Sequence, residues 1–273
     1  MYRPIPLGFF LLVVAMAGAG SASASTIGYW RMETDLDPDA NGLEVANEVA
    51  FGTSLISSEA FVDAVAGPNG TVPLTGDPNL GSIGATIQGG SNGINATAAW
   101  YTELDVSSIT IEFWARTVEN TATLLSRTSG GSDGIVIANP NSLDVSYWVE
   151  DGAGGAAQVQ LNDVFNMDAN WNHFLFSYDE LSGMGRFSVD GVQVAAFNGP
   201  DGRALVWGAN VDLQIGDRMD YADDFNGTMD EVRIMDSVPG GADPSLLPEP
   251  SAGLGALAAL GVLAWVRRRR PAA

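Results

Sequence analysis

The chain has no cysteine, no lysine and a single histidine, His173, in 273 residues. Without cysteine, a disulfide-stapled scaffold and a thiolate-held metal site are both excluded. With one histidine a three-histidine metal centre is excluded. A serine–histidine–acid triad would have to use His173, and no nucleophile motif accompanies it. Basic charge is also scarce: twelve arginines stand against 33 acidic residues, a formal charge of -21. Arg3, Arg267, Arg268, Arg269 and Arg270 lie at the two ends, so the middle of the chain is more acidic still. A broad basic face for nucleic acid is therefore not expected. Metal cations, neutral polysaccharide or a basic partner suit this charge better, although acidity also serves solubility.

What the chain does have, at its centre, is alternation. In Trp171 to Phe197, WNHFLFSYDELSGMGRFSVDGVQVAAF, the residues Phe174, Phe176 and Tyr178 share one side of an extended segment. Phe187 and Val189 repeat the pattern after the DELSG loop, Asp190-Gly191 supplies a tight hairpin, and Val192, Val194 and Ala196 resume the period of two. Three consecutive antiparallel strands, each with an apolar face, are expected. His173, in this context, is expected to pack within a strand with its ring hydrogen-bonded.

Other segments repeat this logic. Thr26 to Met32 reads as a first strand with Trp30 and Met32 entering the core. Ser107 to Arg116 sends Ile109, Ile111, Phe113 and Ala115 one way and Thr110, Glu112, Trp114 and Arg116 the other. TATLLSR, GIVIA, LDVSYWVE, AAQVQL and VDLQIGD continue at spacings near ten residues, and DDFNGTMDEVRIMDSV closes the series. Two stacked antiparallel sheets, an all-β jelly-roll sandwich, are the expected fold. Residues 57–107, rich in glycine, proline and asparagine, are expected to form long rim loops with short strands near Ala60–Val65 and Thr86–Ile87.

The ends read as addresses. LGFFLLVVAMAGAG, residues 7–20, follows Arg3 and precedes Ala22-Ser23-Ala24, so residues 1–24 are expected to be a cleaved secretory signal; a buried helix or an uncleaved anchor is the alternative. At the other end, Pro248-Glu249-Pro250 is followed by SAGLGALAALGVLAWV and by Arg267 to Arg270. The apolar run is short for a bilayer crossing of ~20 residues, and the arginines would stay cytoplasmic. This order closely resembles the PEP-CTERM sorting signal of Gram-negative bacteria that make extracellular polysaccharide, with Leu247 where valine is frequent. The resemblance implies an exosortase-type processing enzyme as partner, an inner-membrane intermediate, and delivery to the cell surface or extracellular matrix. A plain tail anchor is the alternative. The organisation is then 1–24 signal, 25–238 domain, 239–247 linker and 248–273 sorting signal.

Several residues are candidates for binding. Asp37, Asp39, Asn41, Gly42 and Glu48 satisfy the minimal pattern D-x-D-x-N-G-x5-E of a calcium loop, but the flanking residues do not read as helices. A calcium-binding turn and a solvated acidic turn both remain open. Asp230, if it joins Val232 and Ile234 in an inward-facing set, needs donors or a cation to offset its desolvation; an exposed turn position is the alternative. Trp114 and Trp148 are candidates for stacking on sugar rings, against which stands packing between elements. Adjacent Asp230 and Glu231 are expected to face opposite ways on a regular strand, and the paired carboxylates of a glycosidase are not found, so no enzyme is expected.

Together, Gly28-Tyr29-Trp30-Arg31, the strand Thr110 to Arg116, Trp171-Asn172-His173-Phe174, Asp190-Gly191 and Asn226 to Ile234 resemble the LamG-like, concanavalin A-like lectin/glucanase jelly rolls. The resemblance covers residues 27–236. It implies noncovalent binding of carbohydrate or matrix material, with a structural calcium in some members and Asp230 at an acidic position of the closing strand. A structural envelope or matrix component without a small glycan ligand is the competing reading.

Overall fold

The computed structural model describes residues 24–32, 44–57, 62–65, 84–87, 96–117, 122–139, 142–216, 225 and 227–238. Residues 1–23 of the expected signal segment, the acidic loop with Asp37, Asp39 and Asn41, and the tail from residue 239 onward lie outside them. Among the described residues the only helical element is a 3-10 turn, Thr102–Leu104, and no helix is long and apolar enough to cross a membrane.

The strands form two antiparallel sheets. Sheet A runs β14 (Val192–Asn198), β13 (Met184–Val189), β12 (Asn172–Asp179), β7 (Ile109–Thr117), β16 (Gly227–Met235), β5 (Gly84–Ile87) and β4 (Val62–Val65), with β1 (Thr26–Trp30) also on β16. Sheet B runs β11 (Ala156–Phe165), β10 (Leu143–Glu150), β9 (Ile135–Asn139), β8 (Ala122–Arg127), β15 (Leu213–Ile215), β6 (Ala96–Ala98), β3 (Leu55–Ser57) and β2 (Glu44–Val45). Neighbours in each sheet are distant in sequence as often as adjacent, which is the jelly-roll sandwich that the alternating segments predict.

The core lies between the sheets and is built by the inward half of each strand. Phe113, Phe174, Phe176 and Phe187 come from sheet A; Tyr147, Leu125, Ile137 and Val145 come from sheet B. Rings interlock across it: Phe113–Phe174 centroids are 5.3 Å apart, and Tyr147 lies 5.2 Å from both Phe176 and Tyr178. Each such side chain contributes about 1.5–3 kcal/mol by leaving water. Trp30 and Met32 are buried as expected. Asp190 and Gly191 both take positive φ, 50° and 76°, which closes the hairpin between β13 and β14.

Three expectations are corrected. Residues 57–107 are more than rim loops: β6 is an interior strand of sheet B, with Ala96 and Ala98 buried, because two small inward residues suffice between β15 and β3. On β14 the simple alternation fails. Gln193 pairs with Ser188 and Ala195 with Phe187, so Val194 is an extra residue. Ala195 and Phe197 then pack on the core, while Val192 and Val194 are exposed. On β16, Asp230 pairs with Trp114 and Arg233 with Glu112, three steps against two. Glu231 takes a left-handed φ of 54° at this bulge. The phase therefore changes: Met229, Val232 and Ile234 pair with core positions, whereas Asp230 turns to the opposite face.

The sequence also conceals one buried cation. Arg127, at the end of TATLLSR, sits in the sandwich end with Nη1 donating to Leu104 O at 2.7 Å and Nε to Val211 O at 3.1 Å. It pairs with Asp105 and lies 4.3 Å from the Trp207 ring. Burial lowers its pKa from the usual arginine range, and the Asp105 carboxylate opposes that shift.

Candidate functional site

Each strand has an inward half in the core and an outer half on the face turned away from the other sheet, so the polar half of the alternation decides what each outer face offers. On sheet A that half is charged. Glu112 is fully enclosed, and its Oε1 lies 2.7 Å from Nε2 of His173 on β12. The Trp114 ring packs on the His173 ring with centroids 5.1 Å apart. The β16 bulge adds two acids to the same face. Glu231 accepts the Tyr29 hydroxyl and lies 3.9 Å from Arg31 Nε, and Asp230 Oδ1 accepts the Glu231 N–H at 2.9 Å. The expectation that Asp230 and Glu231 face opposite ways is thus corrected, since a bulge puts two consecutive residues opposite one partner.

Glu112 Oε2, Trp114 Nε1 and Arg233 Nη1 are enclosed there without hydrogen-bond partners. Glu112 and Arg233 are cross-strand neighbours, and Trp114 is two residues from Glu112. Donors and an acceptor thus share one small area, suited to bridging by water.

On sheet B the outer half carries Asp144 and Glu150 of β10 on either side of Ser146 and Trp148, but a nearly neutral line runs between them. One line of directly opposed residues crosses all eight strands: Gln160, Ser146, Val136, Ser126, Gln214, Thr97, Ile56 and Glu44. Amides and hydroxyls dominate it, and only the last position is charged. Exposure is lowest at its centre, 1% at Ser126 and 9% at Gln214, and rises to 57% at Ile56, with Gln160 exposed at the other end. Gln214 Oε1 is enclosed without a hydrogen-bond partner, a state that a donor reaching it would stabilise. Trp148 stands beside Ser146 on this face and pairs with Gln158.

Of the two readings open for the tryptophans, stacking on sugar and packing between elements, their burial agrees with packing. Trp148 is 8% exposed, and Trp114 is half-buried against His173. Large flat rings on a sheet face cover their smaller neighbours and are covered in turn. The row Gln160–Ser146–Ser126–Gln214–Thr97 was not singled out from the sequence. Its signal was present as the polar half of QVQL, LDVSYWVE and LQI, but only strand order aligns those halves.

Of the four expected calcium ligands, Asp37, Asp39 and Asn41 lie outside the described residues. Asp230 is 2% exposed. Among the described residues no group of three or more His, Cys, Asp or Glu could hold a metal ion.

A laminin-G-type family model, described as the concanavalin A-like lectin/glucanases superfamily, matches residues 88–243, more than half of the chain. The chain belongs to this superfamily. Solved structures of similar fold include domain 4 of AbnA, a GH43 extracellular arabinanase from Geobacillus stearothermophilus, in complex with arabinotriose. It is 13% identical with a TM-score of 0.53, covering 80% of this chain and 96% of that domain. Botulinum neurotoxin type C, from a study of its interaction with two ganglioside molecules, is 12% identical with a TM-score of 0.52 and 81% of this chain covered. The binding domain of Paraclostridial Mosquitocidal Protein 1 is 14% identical with a TM-score of 0.52 and 78% covered. This chain covers 50% and 49% of the latter two. Comparison with curated proteins found no match. At these identities the likeness is one of fold, and it agrees with a concanavalin A-like sandwich.

Proposed function

We propose that this concanavalin A-like chain binds neutral polysaccharide noncovalently on the outer face of sheet B. The observation that carries the reading is a row of residues across sheet B in which five of eight positions are amides or hydroxyls and only Glu44 is charged, in a molecule with charge -21. Sugar hydroxyls both donate and accept, as do amides and serine or threonine hydroxyls, so a row of such groups matches a chain of pyranose or furanose rings. An anionic polymer would be repelled by the molecule as a whole. Capture of arabinotriose by the similarly folded arabinanase domain supports the ligand class. A noncatalytic reading draws on sheet A, where Glu112 and Glu231, among the described residues, are enclosed and already hydrogen-bonded.

The test is retention of the full chain on gels containing neutral or anionic polysaccharides. Neutral glycan should retard it, and Gln160→Ala and Ser146→Ala, at the accessible end of the row, should each weaken retention several-fold with an unchanged melting temperature. Retention by no neutral glycan, or retention indifferent to both substitutions, would remove the proposal.

The same reading places the chain outside the cell. Residues 1–24 direct export, and an exosortase-type enzyme at the inner membrane recognises residues 248–273, leaving a surface or matrix protein. Mass spectrometry of the native protein should find an N-terminus at Ser25 and a shortened C-terminus; an intact chain rejects this route. A calcium ion in the Asp37–Asp39–Asn41 loop is a separate proposal, checked by melting the full chain with calcium and then with chelator. A rise of several degrees with calcium is expected by linkage, and an unchanged melt excludes it. The competing reading, a self-assembling structural component, draws on the free edge of sheet A.

A further inference from the structure

We propose that two copies of this chain join through β14, which pairs antiparallel with β14 of the second copy across a two-fold axis and continues sheet A from one copy into the next. Among the described residues β14 ends sheet A and pairs only with β13. Alternate backbone N–H and C=O groups therefore point away from the sheet, and such an edge accepts another strand unless charge, proline or a cover blocks it. VQVAAFN contains neither charge nor proline. Val192 and Val194 are 65% and 40% exposed there. The bulge at Val194 confines irregularity to the start of the strand, and register is regular from Ala195 to Asn198.

Charge selects the partner. Copies carrying -21 repel wherever acidic surfaces meet, so they can approach only through surface that lacks charge. This flank supplies it twice, because β11 lies against β14 and opens with the uncharged run AAQVQLN. A basic partner would instead be drawn to the acidic surface. Antiparallel self-pairing satisfies the free groups of both copies together. The inference does not depend on glycan binding.

The absence of cysteine makes the test direct, since a single substitution introduces the only thiol. In the full chain, Ala196→Cys, Asn198→Cys and Leu181→Cys are oxidised mildly and covalent dimer is followed on gels. Opposed residues of antiparallel strands have Cα atoms about 4.5–5.5 Å apart, within disulfide reach. One β14 position is expected to couple at least tenfold faster than Leu181→Cys, on the exposed turn between β12 and β13. Val194→Glu, which adds a charge to each edge, should slow that coupling severalfold. Equal rates at all three positions, or coupling indifferent to Val194→Glu, overturns the pairing. Association driven by the apolar terminal segments would give that second pattern.

Discussion

The two outer faces of the sandwich handle polarity in opposite ways. Sheet A encloses ionisable groups and commits each acid to a partner: Glu112 to His173, Glu231 to the Tyr29 hydroxyl, Asp230 to the backbone of the bulge. Sheet B aligns neutral amides and hydroxyls that reach solvent at Gln160, Ser146 and Thr97 and are buried at Ser126 and Gln214. A buried charge must be compensated inside the molecule, so the first arrangement holds structure. A neutral group loses little when it exchanges water for a ligand hydroxyl, so the second suits binding. The comparison predicts that damage to sheet A appears as lost stability and damage to sheet B as lost retention on glycan.

The largest expected effect breaks the sheet A arrangement. His173→Ala leaves Glu112 enclosed without its hydrogen-bond partner and should destabilise the fold by about 3–5 kcal/mol, read from urea unfolding. Retention of the remaining folded protein on neutral glycan should be unchanged. A loss below about 1 kcal/mol would show that the pair carries little structure and would remove the contrast between the faces.

A smaller effect comes from raising pH, which tests whether the binding row contains a titrating group. Burial pushes the Tyr101 and Tyr178 hydroxyls up to about 12, against 10 in an open chain. A raised native pKa gives stability that is fully present below pH 10. It is lost as pH rises toward 12, because the unfolded chain releases its protons first. A shift of two units is about 3 kcal/mol per group at most. Melting temperature should therefore hold to about pH 10 and then fall steeply, with glycan retention lost together with the fold. Retention lost well below that range, in protein that is still folded, would place a titrating group in the site and contradict a neutral row.

The contrast was only half legible in the sequence. Phe174, Phe176 and Tyr178, or Ile109, Ile111 and Phe113, declare their inward faces because period two is local to one strand. His173 was expected as a packed, hydrogen-bonded ring, and it is one. Which residues share an outer face across strands is not local: Gln160, Ser146, Ser126, Gln214 and Thr97 are neighbours only once β11, β10, β9, β8, β15 and β6 stand in that order. Bulges are equally hidden, since the extra residue at Glu231 or Val194 breaks no composition rule yet reverses the phase on one side of it. The tryptophans left two readings open for a different reason: an indole on the polar half of an alternating strand can face solvent or be enclosed, and its neighbours on adjacent strands decide which.

The smallest effect lies where the two sheets touch, and it separates a polar group that the fold uses from one that it merely tolerates. Tyr178 of sheet A donates its hydroxyl to Arg203 O at 2.6 Å. Tyr147 of sheet B, its neighbour at 5.2 Å, has an enclosed hydroxyl with no hydrogen-bond partner, and burial raises its pKa as well. Tyr178→Phe should therefore cost about 1 kcal/mol, whereas Tyr147→Phe should be neutral or slightly stabilising. Gly185 explains why that hydroxyl sits where it does: a Cβ there would lie 2.0 Å from it, so glycine is what admits the tyrosine. Gly185→Ala should destabilise the native chain through this clash and do so less in the Tyr147→Phe background, a coupling readable in a double-mutant cycle of melting temperatures. Additive effects of the two substitutions would mean that the hydroxyl and the glycine do not share that space.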